Sequence, residues 1–307
     1  MGTFSAVSSP TPPSPSGPRA VLAVASNKGG VGKTTVSANL AIYLRALHED
    51  LPVLVVGLDD QSIIDRMFRF GQREAHEANL KHGWAERCFD RVIQMGQYGI
   101  QFVPPPPDTA LLKARAEDPG TLRRILEHTD FTGLVIVDTK SDLEALTANA
   151  LAAADHVILP VADFASFEEA EKAFRLLQRL NLGSTRARVL LTLVDRRTRV
   201  DGQGRDLHDR LVAAIEEQGW PLYETFVSRS PRVEALNSAT STPGSILHHA
   251  RGTLVHRQFR ELAEEVSKLL DLGPTALPRK TVAAPRTSQV SLTGGLKGAL
   301  LRGLGRR

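Results

Sequence analysis

Cysteine is all but missing from this sequence. Cys88 is the single one among 307 residues. No disulfide can form within the chain, and no cysteine-ligated cluster can be held by one subunit. Nowhere does the sequence offer the ~18 consecutive apolar residues that a membrane span needs. Its start has no basic stretch followed by an apolar one, so a secretory signal is not expected and a cytoplasmic location is. Acid is missing from both ends. Residues 1–20 hold one base, Arg19, and no acid. Residues 272–307 hold Arg279, Lys280, Arg286, Lys297, Arg302, Arg306 and Arg307, again with no acid. The net charge of +4 therefore sits in the ends, and residues 21–271 are mildly acidic, with 30 bases against 34 acids. Any affinity of that middle part for nucleic acid must come from a local patch.

What is present is enough apolar material, 42% of residues, for a sizeable core. At this length the chain could hold one large α/β domain or two small ones. The stretch around which it is organised is Ser26-Asn27-Lys28-Gly29-Gly30-Val31-Gly32-Lys33-Thr34-Thr35. Before it, Val21 to Ala25 reads as a buried strand. After it, Val36, Leu40, Leu44 and Leu47 recur at helical spacing. Strand, glycine-rich turn and helix are the setting of the phosphate-binding pattern G-x-x-x-x-G-K-[ST]. Gly32-Lys33-Thr34 matches its end, while Asn27 or Lys28 stands where its opening glycine would be. Glycines let backbone N–H groups close around phosphate oxygens, and the helix points its positive end at them. Lys33 supplies a charge for the β- and γ-phosphates of ATP, and the Thr34 hydroxyl is placed to ligate Mg²⁺.

The string Lys28-Gly29-Gly30-Val31-Gly32-Lys33-Thr34-Thr35 resembles the deviant Walker A motif of the ParA/MinD family of dimeric ATPases. The resemblance implies that Lys28 reaches the phosphates of ATP held by a partner subunit, so that residues 28–35 bind nucleotide in an ATP-dependent homodimer. The apolar run Leu51 to Leu58 leads into Asp59-Asp60-Gln61, similar to the family's D-x-D-P-Q. Gly57 replaces the first Asp of that pattern and Asp60 its Pro, while Asp59 keeps the carboxylate that orients the attacking water. With Lys28 and Lys33 it completes the expected catalytic set. Gly133 to Asp138 is an apolar strand ending in a carboxylate, the Walker B pattern, which implies that Asp138 and Thr34 hold Mg²⁺. The family continues with two prolines; Lys140 and Ser141 stand here instead. The lone cysteine argues against the related iron–sulfur ATPases.

Further along, residues 62–98 read as helical, Ile100 to Val103 as a short strand, and Gly120 to His128 as a helix. Leu146 to Asp155 resembles the family's helix before its next strand, His156 to Val161. Ser166 reads as an N-cap with Glu169 completing a capping box. Val189 to Val194 is another strand, and Thr253 to Asp271 a closing helix. The resemblance places DNA-binding arginines at Arg197 and Arg232, with Arg196, Arg199 and Arg229 close by in sequence. Such contacts go to phosphate and read no base sequence.

The expectation is an α/β P-loop NTPase: a single doubly wound, mostly parallel sheet with helices on both faces, over residues 20–272. A Pro/Ser-rich leader, 1–19, precedes it, and a basic linker and tail, 273–307, follow. The function implied is that of a ParA-like partition ATPase that dimerises on ATP, holds nonspecific DNA, and releases it when a ParB-like or cargo-bound partner stimulates hydrolysis. Two alternatives stand beside it. One is a MinD-type positioning ATPase on a membrane, whose anchor would be an amphipathic helix in the tail. The other is a nucleotide-binding scaffold with little hydrolysis, motivated by Gly57, Asp60 and Lys140.

Overall fold

A computed structural model describes residues 17–59, 63–72, 77–195, 206–237 and 243–273. The leader over 1–16 and the tail from 274 on lie outside the described residues. The strands are β1 (Ala20–Val24), β2 (Val53–Gly57), β3 (Gln94–Met95), β4 (Gln101–Val103), β5 (Leu134–Asp138), β6 (His156–Val161) and β7 (Ala187–Leu191). The helices are α1 (Lys33–Leu47), α2 (Ile63–Phe68), α3 (Leu80–Glu86), α4 (Ala110–Lys113), α5 (Thr121–His128), α6 (Ala145–Ala153), α7 (Phe164–Arg179), α8 (Leu207–Glu217), α9 (Pro231–Leu236), α10 (Ile246–His249) and α11 (Leu254–Leu269).

The strands form one sheet in the order β3-β4-β2-β5-β1-β6-β7. All pairings are parallel except that of the edge strand β3 with β4. Every residue of β1, β2, β5 and β6 is buried. That is the unbroken apolar pattern of strands covered on both faces. Alternation along β1 splits the core in two. Val21 and Ala23 face a cluster with Leu122, Leu151, Phe174 and Ile215 from α5 to α8. Leu22 and Val24 face another with Leu40, Leu44, Phe259 and Leu262 from α1 and α11. Helices thus cover both faces, as expected for a doubly wound sheet.

Three local expectations are corrected. Residues 62–98 are not one helical region: the described part holds two short helices, α2 and α3, the antiparallel β3 and the start of a 3₁₀ turn over Gln97–Gly99. Arg87 takes a left-handed conformation, φ 59°, which stops α3. Phe89 and Val92 therefore reach the core from a loop rather than from a helix face. The N-cap of α7 is Asp163, not Ser166; the Asp163 carboxylate accepts the Ser166 N–H at 2.8 Å. The helix therefore begins earlier than the spacing of Ser166 and Glu169 suggested. β7 runs from 187 to 191 rather than 189 to 194. Along its outer edge, Val189 donates to Pro221 O and Val227 donates to Leu191 O, both at 2.8 Å, so residues 221–229 extend the sheet irregularly.

Candidate functional site

The crossovers bring the carboxyl ends of β2, β5 and β1 side by side. Gly57, Asp138 and Val24 lie in register across them. Open parallel sheets bind ligands at this rim. From β1 the chain enters the glycine-rich loop. Gly30 and Gly32 have φ of 77° and 88°, conformations open to glycine and strained for other residues. Gly32 caps α1, and Val36 N donates to its carbonyl at 2.8 Å. No acidic residue lies in the first turn of α1, which leaves the helix's positive end for an anion. Lys33 is buried, at 6% exposure. Its Nζ donates to Lys28 O at 3.0 Å and to Ser141 Oγ at 2.7 Å. Burial pushes the Lys33 ammonium below its ordinary pKa, opposed by the charges of Asp138, Asp59 and Asp142.

Asp138 closes β5 and is 1% exposed. Its two oxygens accept the Thr34 hydroxyl at 2.8 Å and the Ser37 hydroxyl at 2.7 Å. Burial pushes its carboxyl up to about 6, against these hydrogen bonds and the Lys33 charge. A hydroxyl and a carboxylate at the mouth of a phosphate cradle are the oxygen donors that suit Mg²⁺, which takes one or two carboxylates and completes its shell with phosphate and water. The raised pKa fits as well, since a bound cation would supply the charge that burial denies Asp138. Ser37 was not singled out from the sequence. The available signal was its position one turn after Thr34 on the same face of α1.

Asp59 leaves β2 two residues after Gly57 and is half-buried. It lies close enough that its charge acts on both Lys33 and Asp138. Asp60 and Gln61 fall outside the described residues. Nothing packs against Gly57 so closely as to demand glycine: an added Cβ would meet Ile64 at 3.6 Å. Lys140 is half-buried.

Lys28 is held within its own chain. Its Nζ lies 2.9 and 2.7 Å from the two oxygens of Asp163. Burial would raise the Asp163 carboxyl; the hydrogen bonds from Lys28 and Ser166 outweigh it and hold it below its ordinary value. The preceding Asn27 donates to Glu169, one turn and a half further along α7. The start of the loop is thus tied to the start of α7. Asp163 escaped the sequence reading because Ser166 was taken as the cap.

Beside the loop lies a cavity of about 290 Å³, lined by Gly32, Thr35, Leu193, Val227, Val233 and Asn237, among others. Asn237 donates to Thr35 Oγ1 at 3.2 Å, and Thr192 Oγ1 donates to the carbonyl of the buried Val31 at 2.9 Å. Leu193 takes φ 53° here, a strained turn for a branched side chain. Arg232, at the start of α9, is exposed, and its Nε donates to His249 O at 2.8 Å. Arg229 pairs with Glu234 at 2.9 Å. Arg197, Arg196 and Arg199 lie outside the described residues. The rim therefore gathers Lys28, Gly29 to Thr35, Asp59 and Asp138, while of the two arginines Arg232 alone is among the described residues, exposed on α9.

A family model for an AAA domain matches residues 19–182. The chain is 32% identical to the chromosome-partitioning ATPase Soj of Thermus thermophilus over 253 residues, 80% of this chain and 94% of that one. It is 30% identical to the chromosome partitioning protein ParA of Caulobacter vibrioides over 265 residues, 81% and 94% of the two chains. The fold is shared with cobyrinic acid a,c-diamide synthase from Mycobacterium smegmatis, solved with a bound ATP analogue and magnesium. The TM-score is 0.62 at 22% identity, covering 84% of this chain and 99% of that one. At that identity the likeness concerns the fold, which serves more than one function. The two partition proteins carry the closer relationship over nearly their whole length: the chain belongs to the ParA/MinD family of P-loop ATPases.

Proposed function

We propose that this ATPase works as a DNA-associated partition or positioning switch. Two copies close on ATP, the closed dimer holds duplex DNA without regard to sequence, and hydrolysis stimulated by a cargo-bound partner releases it. The observation that carries this reading is the rim itself. A buried Lys33 and a buried Asp138 bonded to the half-buried Thr34 lie at one mouth, while Lys28 waits at the edge, 33% exposed by its side chain, where a second copy could reach it. Thr34 and Asp138 would hold Mg²⁺, which would offset phosphate charge. Lys33 binds the β- and γ-phosphates, the backbone from Gly29 to Thr35 surrounds them, and the base occupies the cavity beside Thr35 and Val233. Asp59 orients water from the end of β2. Lys28 leaves Asp163 to complete the other subunit's site.

The test is binding of purified full-length protein to random-sequence duplex DNA with ATP, with ADP and without nucleotide, over a salt series. The expected result is binding that needs ATP, weakens steeply with salt and is lost in an Arg197→Ala/Arg232→Ala double variant. Asp59→Ala should keep the ATP dimer on DNA. Failure of that variant to dimerise on ATP would remove the role given to Asp59. ATP-independent binding that vanishes on removing residues 288–307 would overturn the reading in favour of tail contacts.

A further inference from the structure

Where the family pattern has prolines after the β5 aspartate, this chain has Lys140 and Ser141. A proline there would bring neither a hydroxyl nor an N–H. Ser141 brings a hydroxyl directly to the phosphate cradle. Its Oγ is 2.7 Å from Lys33 Nζ. The same oxygen is the nearest neighbour of Gly29, 3.7 Å from where a Cβ on that glycine would stand. Ser141 is exposed at the mouth, while the lysine it touches is buried.

The lysine's position locates the hydroxyl. A P-loop lysine reaches the β- and γ-phosphates, so its ammonium marks the terminal-phosphate end of the cradle. That ammonium has three donors. Here two are used, on Lys28 O at 3.0 Å and on Ser141 Oγ. Both acceptors are neutral, and a phosphate oxygen is a stronger partner for a cation than either. Entry of a terminal phosphate would therefore draw Lys33 off the serine. The serine oxygen, which accepts from Lys33 until then, would be released, and its O–H would donate to the new anion.

We infer that Ser141 is a positioning residue that senses the terminal phosphate: it holds Lys33 in place while the cradle lacks phosphate and then donates to the γ-phosphate, so that the chain distinguishes ATP from ADP through this hydroxyl. The inference rests on reading residues 28–35 as the phosphate cradle. It is particular to this chain, because a proline in its place could not do it.

The test uses equilibrium binding rather than turnover. Affinities of full-length protein for fluorescent ADP and for a fluorescent, non-hydrolysable ATP analogue, each with Mg²⁺, are measured for wild type, Ser141→Ala, Ser141→Thr and Lys33→Ala. Ser141→Ala should weaken the triphosphate about tenfold, the scale of one hydrogen bond to a charged acceptor, and change ADP by less than about twofold. Ser141→Thr, which keeps the hydroxyl, should restore the wild-type ratio. Equal weakening for both nucleotides would overturn the inference and make Ser141 a support of the loop. Tightening for both would also overturn it, since the hydroxyl would then only compete for Lys33. If Lys33→Ala binds both nucleotides as wild type does, the cradle reading itself fails.

Discussion

The two ends of the sheet place their charged groups differently: mostly exposed at the amino end, buried at the carboxyl end. At the amino end, a cavity of about 410 Å³ is bordered by Arg19, Asp155, His156, Arg186 and Arg188. Each group there has a partner that fastens one part of the chain to another. Arg19 donates to Asp271 O, Arg186 to Ala154 O and Arg188 to Leu222 O. Asp155 accepts from Val21 N at 2.8 Å and pairs with Arg123 at 3.2 Å, and the His156 ring meets the Tyr223 hydroxyl at 2.7 Å. At the carboxyl end, Lys33 rests on a carbonyl and a hydroxyl, and Asp138 on two hydroxyls. Partners of that kind satisfy hydrogen bonding without neutralising charge. Burial therefore moves the Lys33 and Asp138 pKa values toward neutrality. At the amino end the exposed charges keep their water and the buried His156 is held neutral beside Tyr223, whereas the other end, with Lys33 and Asp138 both buried, is arranged for a ligand that carries the missing charges.

The contrast can be broken most sharply at Lys33. Lys33→Ala removes two or more charge-assisted hydrogen bonds to phosphate, on the order of 4 kcal/mol together. Nucleotide affinity should fall about a thousandfold, while thermal stability without nucleotide changes little or rises as a buried charge is removed. Equilibrium binding and a melting curve on the same sample check both. Asp138 comes next. Below about pH 6 its carboxyl is protonated and neutral in the nucleotide-free protein, so a proton competes with Mg²⁺ for it. Mg²⁺-dependent tightening of nucleotide binding should weaken about tenfold for each pH unit below 6 and stay level above about 7. Asp138→Asn should lose that pH dependence and start about a hundredfold weaker, the loss expected when a metal's one carboxylate is removed. A Mg²⁺ titration at several pH values reads both.

How much of this was legible in the sequence depended on chain separation. The β1–loop–α1 unit is continuous, so its strand, its glycines and Lys33-Thr34 could be read in one stretch. Asp59 and Asp138 were legible because each follows an apolar strand directly. The pairs that give the site its electrostatics were not legible. Lys28 meets Asp163 across 135 positions, Lys33 meets Ser141 across 108, and Ser37 meets Asp138 across 101. Parallel crossovers create those contacts, and no local period records them. The misreading of 62–98 had the opposite origin. Apolar residues there do fall at near-helical spacing, but Arg87 leaves the helical region at φ 59°, and Phe89 and Val92 are buried from a loop.

The smallest expected effect sharpens the comparison, because it uses one probe for both ends. Burial, with the Arg188 charge, lowers His156 to about 4. An unfolded histidine titrates near 6.5. Between pH 6.5 and 4 the unfolded chain therefore binds the proton that the folded chain refuses, and this group makes stability fall as pH falls. Asp138 has the opposite sign. Its folded value, about 6, lies above its ordinary 3.8, so between those values the folded chain holds the extra proton and stability rises as pH falls. At pH 5 the histidine term is about 2 kcal/mol unfavourable, and the aspartate term partly offsets it. Urea midpoints of wild type and His156→Gln, taken from pH 4 to 8, separate the two. The variant should be the less stable at pH 7, by about 1 kcal/mol for the lost contact with Tyr223, and should overtake wild type between about pH 6 and 5.5. Curves that stay parallel at all pH values would mean that His156 takes up its proton in the fold as readily as in the unfolded chain, and burial at the amino end would then not hold it neutral.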